Sequence, residues 1–251
     1  MNFERIDTVS FPEYDGRYVN MMPIVFGDIN TIPKYLRDYN DIIKKCSFKV
    51  GTTVYLTIHE SIVEKGKTQR GGGIHTDATG NSQYWGGNNY DGSSTFSLTK
   101  TGSIVPYNTG IYIASSDGGC NVYDCQIEKS DNLGGISKKI KASKINCSPN
   151  NLYWITDRTP HEAIPVKKET KRQFFRLVSE NISVWYSQHN TPNPFGIKPN
   201  CKIDDNNKFE LSKEELSDAE IFEKHLKNAS EIVSKWPSWK QKLLGGEVNE
   251  Q

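Results

Sequence analysis

The chain lacks any run of about eighteen apolar residues, so no membrane-spanning helix is expected. Its first residues, Met1-Asn-Phe-Glu-Arg5, lack the apolar segment of a secretory signal, which predicts a cytoplasmic protein. An excess of one charge sign is also missing. Lysine and arginine number 31 against 30 aspartates and glutamates, and a net charge of +1 gives no electrostatic ground for a nucleic-acid or membrane partner. The five cysteines, Cys46, Cys120, Cys125, Cys147 and Cys201, include no Cys-x-x-Cys pair. That excludes a zinc ribbon and a disulfide framework and predicts reduced thiols. Internal repeats and low-complexity linkers are absent as well. The 251 residues are expected to form one domain: an arm and helix over 1–45, a core over 46–190, and a wrap and helix over 191–251.

What the chain does contain is mostly β-type. Val19–Phe26 is apolar but interrupted by Pro23, which suits an edge strand. From Ile29 to Lys45, apolar residues recur at spacings of three and four, so one amphipathic helix is expected, capped by Thr31 with Pro33 just inside its start. Val50–Val63, rich in Val, Ile, Thr and Tyr, reads as one long strand or a bent pair. Shorter strands follow over Thr95–Leu98, Ile111–Ser115, Cys120–Ile127, Leu152–Thr156 and Gln173–Tyr186, and Gly118-Gly119 reads as a hairpin turn. Between the early strands, 81–92 is a loop carrying Tyr84, Trp85 and Tyr90, either a lid or a self-packed loop. The basic run Lys138–Lys144 reads as a solvated face. Ser212-Lys-Glu-Glu215 fits a capping box opening a C-terminal helix. Short strands joined by turns predict a sandwich or barrel rather than a parallel sheet.

The stretch with chemical content is Arg70-Gly-Gly-Gly-Ile-His-Thr-Asp77. In extended backbone His75 and Asp77 point to one face, so both can bind one cation. A third donor is His161, in Thr159-Pro-His-Glu, where the proline favours extended backbone before it. Two histidines and one carboxylate make the facial set of non-haem Fe(II) sites, although zinc accepts the same donors. Eleven residues after His161 comes Arg172, in Arg172-Gln-Phe-Phe-Arg176, and Arg172, Phe174 and Arg176 share a strand face. An arginine facing a core is costly unless it meets an anion, and a guanidinium grips a carboxylate with two parallel hydrogen bonds.

In this order and spacing, over residues 50–190, the chain resembles the 2-oxoglutarate/Fe(II)-dependent oxygenase superfamily. Its pattern is His-x-Asp/Glu, a distant His, then Arg or Lys a short way beyond. The resemblance implies a mainly β protein with flanking helices and a double-stranded β-helix (jelly-roll, cupin-like) core. It implies that His75, Asp77 and His161 bind Fe(II) as the catalytic centre. The cosubstrates are then 2-oxoglutarate and O2, and a hydroxylated substrate leaves with succinate and CO2. Arg172 is implied to pair with the distal carboxylate of 2-oxoglutarate. Many members carry a hydroxyl residue two positions after that arginine; here it is Phe174, so the hydroxyl must come from elsewhere, Tyr112 or Tyr55. Arg176 either shares the clamp or meets an anionic group of the substrate. The substrate itself stays open among small molecules, peptides and nucleobases. Two rivals remain: a non-redox, metal-binding cupin-like enzyme, and a barrel that serves only as a binding module.

Overall fold

The computed structural model describes residues 2–78, 96–99, 102–106, 108–128, 130–131, 133–137 and 139–207. The aromatic loop and the helix expected after Ser212 lie outside these residues, as does Lys138. The described part is mainly β. Its strands are β1 (Phe3–Thr8), β2 (Tyr18–Val25), β3 (Thr53–Val63), β4 (Phe96–Leu98), β5 (Ile104–Pro106), β6 (Ile111–Ser115), β7 (Cys120–Tyr123), β8 (Lys144–Asn146), β9 (Asn151–Ile155), β10 (His161–Ala163), β11 (Thr170–Val178), β12 (Val184–Tyr186) and β13 (Lys202–Asp204). Residues Met1–Asn206 form one compact unit. Among the described residues no helix is long and apolar enough to cross a membrane, and all five cysteines are free thiols.

Six strands make one antiparallel sheet in the order β1-β9-β6-β11-β3-β2. Three more make a second sheet, β10-β7-β8. The long strands β3 and β11 lie side by side in the larger sheet, with Phe174 opposite His59 and Arg176 opposite Thr57. Alternation along β11 divides the interior. Phe175 and Leu177 point into one core with Leu56, Tyr112 and Trp154, whereas Phe174 and Val178 join a second core with Ile113, Val122 and Trp185. Arg172 and Arg176 fall on that second side, the side of the cleft described below. Pro23 sits in β2, at the sheet edge, where a missing backbone N–H does least harm.

The expected helix over Ile29–Lys45 is not one helix. It is a 3-10 turn, Ile29–Thr31, a 3-10 segment, Lys34–Tyr39, and a single α-turn, Asn40–Ile43. Pro33 is the reason: the residue before proline avoids helical backbone, and Ile32 is extended at φ −98°, ψ 121°. Asp28, not Thr31, caps the first turn, accepting from the Asn30 N–H at 2.9 Å. Thr31 is instead a buried brace whose hydroxyl bonds to Asp28 and Val25. The apolar face is kept, since Ile32, Leu36, Tyr39, Ile42 and Ile43 are all buried in the first core.

Gly118-Gly119 is not a hairpin turn. It carries the chain from β6 in the larger sheet to β7 in the smaller one. After β12 the chain wraps back over β2, where buried Asn193 donates to the Pro23 and Thr31 carbonyls at 2.8 Å each. Glu60, on β3, has a structural role. Its buried carboxylate accepts from Tyr39 Oη at 2.7 Å and from the Asp15 and Arg17 N–H groups at 2.7 and 3.0 Å. Burial pushes this carboxyl up, but those hydrogen bonds outweigh it and hold it below the usual range.

Two outcomes are expected. Phe175→Ala, which empties the first core without touching the cleft, lowers unfolding free energy by about 3–5 kcal/mol in urea titration. Glu60→Gln costs about 1.5–3 kcal/mol at neutral pH. The wild-type advantage shrinks as pH falls from about 4.3 through the lowered native value, because only the native carboxylate is stabilised.

Candidate functional site

The expected donors do meet. His75 lies in a short bridge rather than a full strand, and it pairs reciprocally with His161. His75 N–H donates to His161 C=O at 3.0 Å, and His161 N–H returns a bond to His75 C=O at 2.9 Å. Directly opposed residues on antiparallel backbone send their side chains to one face. The two imidazole centroids are accordingly 4.4 Å apart. Each ring is oriented by a backbone carbonyl at Nδ1, Gly73 O at 3.1 Å for His75 and Thr159 O at 3.0 Å for His161. With Nδ1 carrying the proton, the Nε2 lone pair is left for a ligand. Burial, with His75 nearby, pushes His161 down to about 4 despite the opposing pull of Asp77, so its ring is neutral at pH 7.

Asp77 reaches the same place by a different route. Its N–H and that of Ala78 both donate to the Asp157 carbonyl at 2.9 Å. Its Oδ1 accepts from Arg176 Nη2 at 2.7 Å, and its Oδ2 stands 3.8 Å from His161 Nε2. Burial pushes the Asp77 carboxyl up, but Arg176, then the histidines, outweigh it and keep the group below its ordinary value. The Asp157 carboxyl behind it is pushed up to about 6 by burial, with Arg158 opposing and Asp77 adding.

Two imidazole nitrogens and a carboxylate oxygen thus occupy one wall of a cleft. This is a suitable donor set for Fe(II) or another borderline divalent ion. Among the described residues no group of three or more His, Cys, Asp or Glu side chains is placed so that it could hold a metal ion. Adjacent donors of an octahedral ion with bonds of ~2.1 Å are about 3 Å apart, and Asp77 Oδ2 stands 3.8 Å from His161 Nε2.

The arginines divide their work in a way the sequence left open. Arg176 does not share a clamp with Arg172: it grips Asp77 and also approaches Met21 Sδ at 3.8 Å. Arg172 lines the cleft, donating from Nε to Ser115 Oγ at 3.0 Å and from Nη2 to the Gly118 carbonyl at 2.7 Å. Its Nη1 is buried with no hydrogen-bond partner among the described residues. Gly119, at φ +73°, lets the chain pass close by, since a Cβ there would lie 2.9 Å from Arg172 Cζ.

Tyr112 is corrected. It points into the first core on the far face of β6, where its hydroxyl accepts the Ser47 N–H at 3.0 Å; its neighbour Ile113 faces the cleft instead. Tyr55 is also directed elsewhere, accepting from the Asn200 N–H at 3.1 Å. The hydroxyl beside Arg172 belongs to Ser115. No sequence spacing announced it, because only the register that sets Phe174 against Ser115 brings it there.

No protein-family model matches the chain, and no curated protein matches it in sequence. The functional reading therefore stands on the residues of this cleft.

His75→Ala is expected to abolish Mn(II) binding in calorimetry with little loss of stability, since the ring is oriented by a single hydrogen bond. Asp77→Ala is expected to abolish it too, but at a cost of about 3–5 kcal/mol in urea denaturation, because Arg176 loses its buried counter-charge.

Proposed function

We propose that the protein is an Fe(II)- and 2-oxoglutarate-dependent oxygenase that hydroxylates its substrate on a jelly-roll core. The strand order supports such a core. Taken along the chain, β3, the His75 bridge, β6, β7, β8, β9, β10 and β11 belong in turn to the large, small, large, small, small, large, small and large sheets. Two four-membered layers result, β9-β6-β11-β3 and the His75 segment-β10-β7-β8, as in a chain wound as a doubled hairpin.

The observation that carries the functional reading is Arg172. A metal-binding cupin without a keto-acid cosubstrate has no use for a buried guanidinium beside the metal donors. Here one lines the same cleft as His75, Asp77 and His161, with one nitrogen unpaired among the described residues. Leaving a buried donor unpaired is costly, and a carboxylate would satisfy it with charge-assisted bonds.

His75 and His161 would hold the ferrous ion through their Nε2 atoms and Asp77 through Oδ2. Arg172 would receive the distal carboxylate of 2-oxoglutarate. Fe(II) with 2-oxoglutarate supplies O2 activation: one oxygen atom is inserted into a substrate C–H bond, the other enters succinate, and CO2 leaves. The chain's own residues orient and exclude. Arg176 fixes the Asp77 carboxylate so that one oxygen is committed and the other is presented. Ser115 and the Gly118 carbonyl hold the Arg172 fork in a fixed plane. Phe174 and Ile113 form an apolar wall that keeps water from the reacting face.

The test is 2-oxoglutarate binding to Mn(II)-loaded protein by calorimetry, followed by succinate release with iron, ascorbate and O2. Arg172→Ala is expected to leave the metal bound and to weaken 2-oxoglutarate by about 2–5 kcal/mol. Failure of the metal-loaded wild-type protein to bind 2-oxoglutarate would overturn the proposal. An equal loss in Arg176→Ala with none in Arg172→Ala would overturn the assignment of the clamp.

A further inference from the structure

We propose that Arg70 selects the substrate, and that the substrate bears a carboxylate or phosphate group seated on Arg70 beside Phe174. The word substrate rests on the oxygenase reading above; the anion site itself stands on geometry alone.

Three guanidinium groups line the cleft, those of Arg70, Arg172 and Arg176, against two carboxylates, Asp77 and Glu162. Arg176 is matched with Asp77. Glu162 is engaged by neutral groups, its Oε1 accepting from Asn121 Nδ2 and Tyr123 Oη at 2.8 Å each. Arg172 donates to neutral oxygens and keeps one nitrogen for a cosubstrate. Arg70 has no hydrogen bond or ion pair among the described residues. Its guanidinium carbon lies 4.9 Å from the centroid of the Phe174 ring, within cation–π range. A guanidinium laid on an aromatic face keeps its N–H donors in its own plane, where they can address an anion bidentately.

Charge balance points the same way. A bound dication and the dianion 2-oxoglutarate cancel, and one positive charge in the cleft is then left over, which a monoanionic group on the substrate would neutralise. Burial, with Arg176 adding and Asp77 opposing, pushes the Arg70 guanidinium down to about 10, so it remains cationic at neutral pH and gains from an added anion. The sheet also offers a surface for the rest of the molecule. Phe174 is opposite His59, His59 is opposite Tyr18, and Tyr18 packs edge-on against His59 at 5.1 Å while remaining 54 % exposed. An aromatic row therefore runs outward from Arg70.

Benzoate, phenyl phosphate and neutral benzamide are the probes, titrated by calorimetry into the full chain, both metal-free and loaded with Co(II) and 2-oxoglutarate. At least one anion is expected to bind about tenfold tighter than benzamide. The better of the two tells carboxylate from phosphate chemistry. Arg70→Met is expected to abolish that preference and Arg70→Lys to retain part of it, with 2-oxoglutarate affinity within about twofold of wild type in both. Benzamide binding as well as both anions overturns the proposal, as does an anion preference that survives in Arg70→Met. If 2-oxoglutarate does not bind but the Arg70-dependent preference persists, the oxygenase reading falls and the anion site stands. If 2-oxoglutarate binds and no anion preference exists, the reverse holds.

Discussion

Two backbone hydrogen bonds between His75 and His161 hold the site together. They tie a segment that makes only isolated bridges, one to Gly135 and one to His161, onto the smaller sheet, where β10 already rests on β7. Closing so long a loop costs chain entropy, and two hydrogen bonds alone would not offset it. The two packed cores do most of that work by fixing both sheets before the imidazoles need to meet. Once the pairing exists, the orientation of both rings follows from local backbone, because Gly73 and Thr159 each present a carbonyl to the Nδ1 two residues away.

Electrostatics then sets what the cleft can accept. Inside a poorly solvated site a lone carboxylate or guanidinium is strongly disfavoured, so each must find a partner or keep some access to water. Asp77 and Arg176 satisfy each other at 2.7 Å, which leaves only one Asp77 oxygen turned toward His161. Arg172 is held by a hydroxyl and backbone carbonyls, which orient it without neutralising it. The result is a pair of imidazoles and an anchored carboxylate on one wall, with positive charge in reserve on the others.

Much of the β architecture was legible because its signal is local. Val, Ile, Thr and Tyr over 53–63 give a strand whatever surrounds them, and the limits of β6 coincide with the Ile111–Ser115 run. The failures have nonlocal or competing causes. The Ile29–Lys45 periodicity correctly marked a buried face but overstated the helix, because Pro33 imposes extended backbone on Ile32. Gly118-Gly119 carries turn residues, yet whether a turn joins neighbours in one sheet or crosses between two depends on pairings made elsewhere in the chain. Tyr112 was on the right strand and the wrong face, since a period of two fixes alternation but not which side becomes the cleft.

By itself the sequence determined the donor types at His75, Asp77 and His161, the β character of the segments carrying them, and a shared face for Arg172, Phe174 and Arg176. These follow from side-chain chemistry and from the two-residue repeat of extended backbone, both local properties. Only the tertiary structure decided that Arg176 holds Asp77, that Arg172 rests on Ser115 and Gly118, and that Arg70 lies over Phe174 without a hydrogen bond or ion pair among the described residues. Those partners come from other strands and loops, and which of them stand side by side is set by sheet register and packing, which no spacing along the chain encodes.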